Sequence, residues 1–521
     1  MGDIKYILTD ERITIKDGSV ERVLCRIKAA KNIGDVMQDD LGGYVESEKN
    51  LSHDGFSWIY NDAQVFGSAI VYGNAVVGGD AVVSDNAKIY DNAKVMGKIS
   101  GNAKVFDCAK VTGEVSDDAQ IYDNAKVAGK VSGNAEVFDN AKIFGEVSDS
   151  SQIYGDAKIY GVVCGSAKVG GDAIVVGKVS DDSEVFDNAK ILEKAVISNE
   201  AMVYGNAKVA GIVSDNAQVY DGAEVYGEIT GNAEVYDDAF VLGKVTGDAK
   251  VYGNATVLDN GVISDRAAVY GNAKVDGIVS DDAQVYDGAE VYSHISGSAQ
   301  IYDDAMVSGD ISGNVKVFGN AMVYEGAVIS EDAQIGGNSK VGGKVSGKVQ
   351  IGGGSIVGGT VSDNVKVFGN AIILAGAMVS GNAVVFGNAK VYETAVISDN
   401  AKVYDGVEIW GKVRGSAQVS GNAQIHEKAL ISDNAKVYDG AEVHGSVSGS
   451  ARVYDESLVL GNVAGFACVY GNAKIEGTVT DHAQVYGNSK VSKTATVTGN
   501  AEICGDMVVD EKFSGNGGLC K

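Results

Sequence analysis

Two histidines lie at a spacing that would allow them to share a metal ion or a proton. His426 and His444 each follow an aliphatic residue of a regular repeat. If the strands that carry them are neighbours in a sheet, their imidazoles lie about 5 Å apart, which suits ligation or proton exchange. The other histidines, His53, His294 and His482, have no partner at a metal-ligand spacing. Two exposed histidines on a tolerant surface explain the pair more simply, so we predict neither a metal site nor a catalytic residue.

Other candidate groups resemble chemical motifs in residue type but lack the spacing or the repeat that the chemistry needs. Ser52, His53 and Asp54 are consecutive, and consecutive residues cannot converge as nucleophile, base and orienting acid. Aspartates recur regularly, as at Asp91 and Asp107, and a column of carboxylates could attract Ca²⁺ or Mg²⁺. Aspartate is equally favoured in tight turns, and the Gly-Gly-x-Gly-x-Asp calcium repeat is absent. We therefore predict no cofactor.

The cysteines and the apolar segments indicate a compartment. Six cysteines are scattered without a Cys-x-x-Cys motif: Cys25, Cys108, Cys164, Cys468, Cys504 and Cys520. This pattern favours reduced thiols over a disulfide framework. No apolar stretch is long enough to span a bilayer, and the first residues lack a signal-peptide core. We expect a cytoplasmic protein; a surface or virion location reached by a non-standard route stays open.

A strict repeat must position all of these groups. From Ile59 to Val509 a Val or Ile stands at every step, and each step is six or four residues, in 63 hexads and 18 tetrads. When the resulting 81 segments are numbered from Ile59, the tetrads fall only on every third one. Such phase-locking predicts three sides and about 27 turns with one side often shortened. Periods of this kind are typical of solenoids.

The composition of each hexad predicts strands. The Val or Ile and the Ala two residues before it would point inward with period two, while the residues on either side of the Val point outward. Corner pairs such as Gly-Asn and Asp-Asn tolerate tight turns, and 521 residues include 70 Gly and no Pro. We predict an all-β protein built as a single-stranded, three-sided parallel β-solenoid.

The two ends depart from the repeat. Residues 1–58 are predicted to form a small N-terminal β-rich cap, in which Ile13–Ile15 and Arg22–Ile27 flank a hairpin turn. Residues 59–509 form the solenoid, and residues 510–521 are predicted to be a short polar tail. The last turn would be poorly covered, and an uncovered strand edge invites association.

An aromatic column is the most specific surface feature of the sequence. On the third side, the residue after the inward aliphatic is Tyr or Phe in 22 of 27 turns, and this position holds 16 of the 24 tyrosines. Stacking between neighbouring strands is one interpretation. The other is a binding stripe for sugar rings, a partner protein or a second copy. The candidate binding residues are nine successive ones: Phe186, Tyr204, Tyr220, Tyr236, Tyr252, Tyr270, Tyr286, Tyr302 and Phe318.

The repeat resembles the hexapeptide motif of left-handed β-helix proteins, as in Ala201-Met-Val203 and Ala207-Lys-Val209. The opening Gly42-Gly-Tyr-Val-Glu46 and Trp58-Ile-Tyr60 are similar to bacterial and phage proteins of the YdcK type, which join a small β-rich cap to a solenoid. The resemblance implies left-handed winding; right-handed bactofilin-like solenoids are the alternative. Many relatives are acyltransferases, but the repeat-breaking loop and C-terminal helical segment that they share are absent here, so we predict no enzyme.

These observations lead to a functional hypothesis. A net charge of −27 argues against nucleic acid or an anionic membrane as a partner. We predict a non-enzymatic structural or scaffold protein that self-associates into oligomers or filaments. The alternative is a glycan- or cell-surface-binding fibre module of phage or bacterial origin, and a hexapeptide-repeat acyltransferase-like enzyme ranks behind both.

Overall fold

A computed structural model describes residues 4–520 and consists almost wholly of β-strands. The chain divides into two compact units, Met1–Asp259 and Asn260–Lys521. In each unit short parallel strands build three sheets, and the chain passes from one sheet to the next at every corner. The predicted all-β, three-sided parallel solenoid is therefore confirmed.

Three longer strands precede the first solenoid turn. β1 (Tyr6–Asp17) and β2 (Val20–Ala29) form the predicted hairpin, and β3 (Leu41–Val45) pairs antiparallel with β2. A short 3₁₀ helix spans Glu48–Asn50. On its other edge β3 pairs in parallel with Gln64–Val65, so the hairpin sheet continues directly into one sheet of the solenoid.

The solenoid strands follow one rule. Each is two residues long and ends at the inward Val or Ile, from Trp58–Ile59 to Thr256–Val257 in the first unit and from Val262–Ile263 in the second. Among the described solenoid strands from Trp58–Ile59 to Val508–Val509, only Thr496–Gly499 and Glu502–Cys504 are longer. The partners of each strand lie one turn before and one turn after it, in parallel register.

Inward positions are sealed from solvent as predicted. Val203 and Ala207 have no exposed surface, and the same holds for their equivalents on almost every turn. Where serine replaces the inward alanine, its hydroxyl is satisfied locally: Ser183 Oγ donates to the carbonyl of Ser180 at 2.7 Å. This pairing removes the cost of burying an unpaired hydroxyl.

The corner aspartates have a conformational role. Asp91, Asp123 and Asp139 adopt left-handed φ angles of 55°, 56° and 54°, a region open to aspartate at little cost. The carboxylates of Asp123 and Asp139 accept backbone N–H groups from the next turn, as in the 3.0 Å bond from Gly155 N to Asp139 Oδ2. Turn formation thus accounts for the aspartate columns.

The tetrad corners bring successive backbones into close contact. A Cβ at Gly129 would overlap the carbonyl oxygen of Gly145, and Gly113 is confined by Gly129 in the same way. Steric exclusion explains why 17 of 18 tetrads have glycine there. Ser293 is the exception, and its Oγ donates to the carbonyl of Gly309 at 2.7 Å.

The C-terminal segment differs from the sequence interpretation in its cysteines. Strands Phe513–Gly515 and Gly518–Cys520 extend two of the sheets beyond Val509. They place Cys520 beside Cys504, and the two form a disulfide. The prediction that all six cysteines are reduced is wrong for this pair, because consecutive turns align their side chains; Cys25, Cys108, Cys164 and Cys468 are free thiols.

Among residues 4–520, no helix has the length and apolar character needed to cross a membrane.

Candidate functional site

The predicted aromatic column forms stacked ladders in the first unit. Tyr204, Tyr220 and Tyr236 stack with ring centroids 4.8 and 4.9 Å apart and planes within 2° of parallel. Phe186 and Tyr252 extend this run at its two ends. An earlier run has the same geometry, in the order Tyr72, Tyr90, Phe106, Tyr122, Phe138 and Tyr154.

The second unit carries ladders of its own. Tyr270, Tyr286, Tyr302 and Phe318 stack at 4.9 to 5.4 Å. Tyr438, Tyr454, Tyr470 and Tyr486 form another run with spacings of 4.6 to 4.9 Å. All nine candidate binding residues therefore belong to ladders, and the runs nearer each end come from the same 22 column positions but were not among those candidates.

Strand register produces this stacking. Each ring follows the inward aliphatic residue of its strand, and parallel in-register pairing places equivalent residues above one another at the strand spacing. The rings lean back across the sheet, so the hydroxyl of Tyr204 lies 3.4 Å from Gln218 Oε1 and that of Tyr220 lies 3.5 Å from Glu234 Oε2. The ladder rings are half-buried.

The tyrosine hydroxyls hold their protons firmly. Burial is the main cause that raises the pKa of Tyr90 and of Tyr236 to about 12, and neighbouring tyrosines and carboxylates add to it. Burial and Glu234 raise the pKa of Tyr220 as well. At neutral pH the ladder therefore presents neutral hydroxyl groups that can donate and accept hydrogen bonds.

This geometry restricts what a ladder can bind. The faces of an inner ring are covered by the rings above and below it, so a sugar cannot stack on them. The outer edges and hydroxyls stay accessible, and they repeat at each turn. A partner that contacts the inner ladder must therefore approach ring edges, whereas a partner that stacks needs an interruption in the column.

One interruption forms a slot in the second unit. Glycines replace the aromatic residue at Gly336 and Gly352, and the rings of Phe318 and Phe368 lie over them from either side. With Gln334 and Gln350 these residues line a slot of about 310 Å³. Apolar ring surface beside side-chain amides is a combination that can take a planar or sugar ring.

A second stack lies on another sheet, and the sequence analysis found only its histidine pair. Tyr392 and Trp410 stack at 4.2 Å, Trp410 lies 5.6 Å from His426, and His426 stacks on His444 at 3.7 Å. The sequence signal was available, because all four residues follow an inward aliphatic on the same side. Glu442 lies beside both imidazoles, with its Oε1 2.9 Å from His426 Nε2 and 2.7 Å from His444 Nε2.

Two of the remaining histidines, His53 and His482, are held in local contacts. His53 stacks on Tyr6 at 4.5 Å and its Nδ1 accepts the backbone N–H of Lys5. Ser52 Oγ instead accepts the backbone N–H of Asp54, so these three residues do not form a triad. His482 stacks on Phe466 at 4.9 Å.

Comparison with known proteins finds a short family match in the second unit. The family model YdcK Beta solenoid repeat matches residues 299–310, which run from Ala299 through the strand Gln300–Ile301 to Asp310. In this short segment the chain is similar to YdcK-type β-solenoid repeats. A search of curated proteins found no match. The matched segment includes Tyr302, a member of the second unit's ladder.

Proposed function

We propose that this chain is a non-enzymatic structural protein that self-associates, into oligomers or filaments, through the exposed edges of its aromatic ladders. The observation that supports the proposal most is the uniform repeat of five rings from Phe186 to Tyr252, with centroids 4.8 to 5.0 Å apart. A partner can match such a surface on every turn only if it has the same repeat. A second copy of this chain has it.

The contacts available at the ladder suit a reversible interface. Ring edges are apolar, and the hydroxyls offer hydrogen bonds that water satisfies when no partner is present. Each contact contributes little to the binding free energy, but the repeat allows many such contacts to form at the same time. The proposal includes the left-handed winding that the hexapeptide resemblance implies, because the winding decides how two ladders run alongside each other.

Replacing Tyr204, Tyr220, Tyr236 and Tyr252 together by Thr tests the interface. Threonine keeps a β-favouring side chain, so each lost ring pair costs only about 0.2 to 1 kcal/mol. We expect the variant to stay folded by circular dichroism and to sediment as a smaller species than the parent protein.

The matched control replaces Ser198, Ser214, Thr230 and Thr246 by Ala, which alters the same part of the unit on a different sheet. It should sediment like the parent. A parent protein that is monomeric at all concentrations, or a tyrosine variant that sediments like the parent, would contradict self-association through the ladder.

A second candidate function, glycan binding, rests on the slot at Gly336 and Gly352. A ring entering it would contact Phe318 and Phe368 and could bond to the amides of Gln334 and Gln350. We expect Gln334→Ala combined with Gln350→Ala to weaken retention on a glycan array while leaving sedimentation unchanged. Equal retention by parent and variant would exclude the slot as the glycan site.

A further inference from the structure

We propose that His426, Glu442 and His444 form a binding site for a divalent transition-metal ion such as Zn²⁺. The proposal is independent of self-association and of glycan binding. It revises the sequence prediction of no metal site, which weighed the histidine pair without Glu442.

The fold brings the three side chains together in a simple way. Glu442 and His444 flank the inward Val443, so both project from the same face of one strand. His426 is the equivalent of His444 one turn earlier. It directly follows the strand Gln424–Ile425, which pairs with Glu442–Val443. The ligand atoms of the three residues all lie within 4.8 Å of one another.

The donor set and its spacing suit zinc. Two imidazole nitrogens and one carboxylate oxygen are common protein ligands of Zn²⁺, at about 2.0 to 2.2 Å from the ion. Tetrahedral binding at that radius separates ligand atoms by about 3.3 Å. The Nε2 to Oε1 distances of 2.9 and 2.7 Å are shorter than this value, and on metal binding the stacked imidazoles must turn so that their lone pairs converge on the ion.

One ligand atom, His426 Nε2, has no hydrogen-bond partner. His426 Nε2 lies near Glu442 Oε1, but the contact lacks hydrogen-bond geometry, and within residues 4–520 it is the buried side-chain polar atom without a hydrogen-bond partner. Burying such an atom unpaired is unfavourable. A metal ion bound in the plane of the imidazole, on the side of Glu442, would satisfy it.

The neighbouring side chains shield the site on one side and leave it open on another. Trp410 covers the outer face of His426, which shields one side of the site, while the partly exposed carboxylate leaves a position for water or an incoming ligand.

Titration of the full chain with Zn²⁺ by calorimetry tests the proposal. We expect one ion per chain at this site and at least a tenfold loss of affinity in His426→Gln, His444→Gln and Glu442→Gln. X-ray absorption of the zinc-loaded parent should show two imidazole ligands. The control His294→Gln alters an exposed histidine on another turn and should bind zinc like the parent.

All four substitutions are at outward positions, and circular dichroism establishes whether each variant keeps its fold. Parent affinity retained by a folded double variant, His426→Gln with His444→Gln, would overturn the assignment. An absorption spectrum with oxygen ligands alone would overturn it too.

Discussion

Gly343→Ala is expected to destabilise the second unit strongly, whereas Gly342→Ala is not. The two glycines are adjacent in one tetrad, but a Cβ at Gly343 would overlap the carbonyl oxygen of Gly359, and a Cβ at Gly342 meets only Tyr324 Cδ2 at 3.9 Å. The overlap is with backbone, which cannot move without shifting the next turn. We expect a loss of about 1 to 3 kcal/mol in the free energy of unfolding, as for other overpacked sites.

The adjacent substitution is a stringent control. Gly342 is exposed and Gly343 is buried, yet both changes add the same methyl group to the same corner. Replacing glycine where alanine fits restricts the unfolded chain, so Gly342→Ala should be neutral or stabilise by up to about 1 kcal/mol. Denaturant unfolding followed by circular dichroism measures both. Similar losses in the two variants would contradict the steric explanation of the tetrad glycines.

Ala401→Leu should be the second strongly destabilising change. Ala401 has no exposed surface, and its neighbours in the same column, Ala383 and Ala417, are equally buried. A leucine there must displace side chains inside a narrow three-sided core, at a cost of about 1 to 3 kcal/mol. Because Val365 occupies this column elsewhere, Ala401→Val should cost less.

Lys402→Leu is the matched control, because Lys402 is the outward, exposed neighbour of Ala401 on the same strand. A surface change of this type usually alters stability by less than about 0.5 kcal/mol. Hydrogen exchange around residues 383–419 should detect the difference locally, since solenoid turns depend mainly on their neighbours. Equal exchange in Ala401→Leu and Lys402→Leu would show that the assignment of inward and outward residues is wrong.

The fold could be predicted because the repeat encodes it at every turn. Strands end at the inward aliphatic residue that the six- and four-residue steps identify, from Ile59 to Val509. The steps continue, with four residues to Phe513 and six to Leu519, and both residues lie in strands. Because Phe and Leu replace Val or Ile at these two steps, a repeat defined by Val and Ile ends at Val509. The alignment of Cys520 with Cys504 lies beyond that end.

The candidate sites were only partly predictable. Alignment of the tyrosines follows from strand register, but ring planes that cover one another depend on side-chain direction, which the repeat does not specify. For the same reason, the slot at Gly336 and Gly352 requires the positions of Phe318 and Phe368. The proximity of His426 and His444 was predictable from the repeat. Glu442 could have been added to the pair, because the residues before and after the inward Val443 project from the same face of the sheet.

The uniform register also affects how such a gene can change. Equivalent residues in successive turns are separated by 16 or 18 positions, as in the asparagine pairs Asn86 to Asn102 and Asn74 to Asn92. Duplication or deletion of one complete turn leaves each remaining turn with a neighbour of the same kind. Duplication or deletion of whole turns can therefore lengthen or shorten the protein without redesign of its core, whereas an insertion that leaves a step of neither four nor six residues would break the ladder of the turn that receives it.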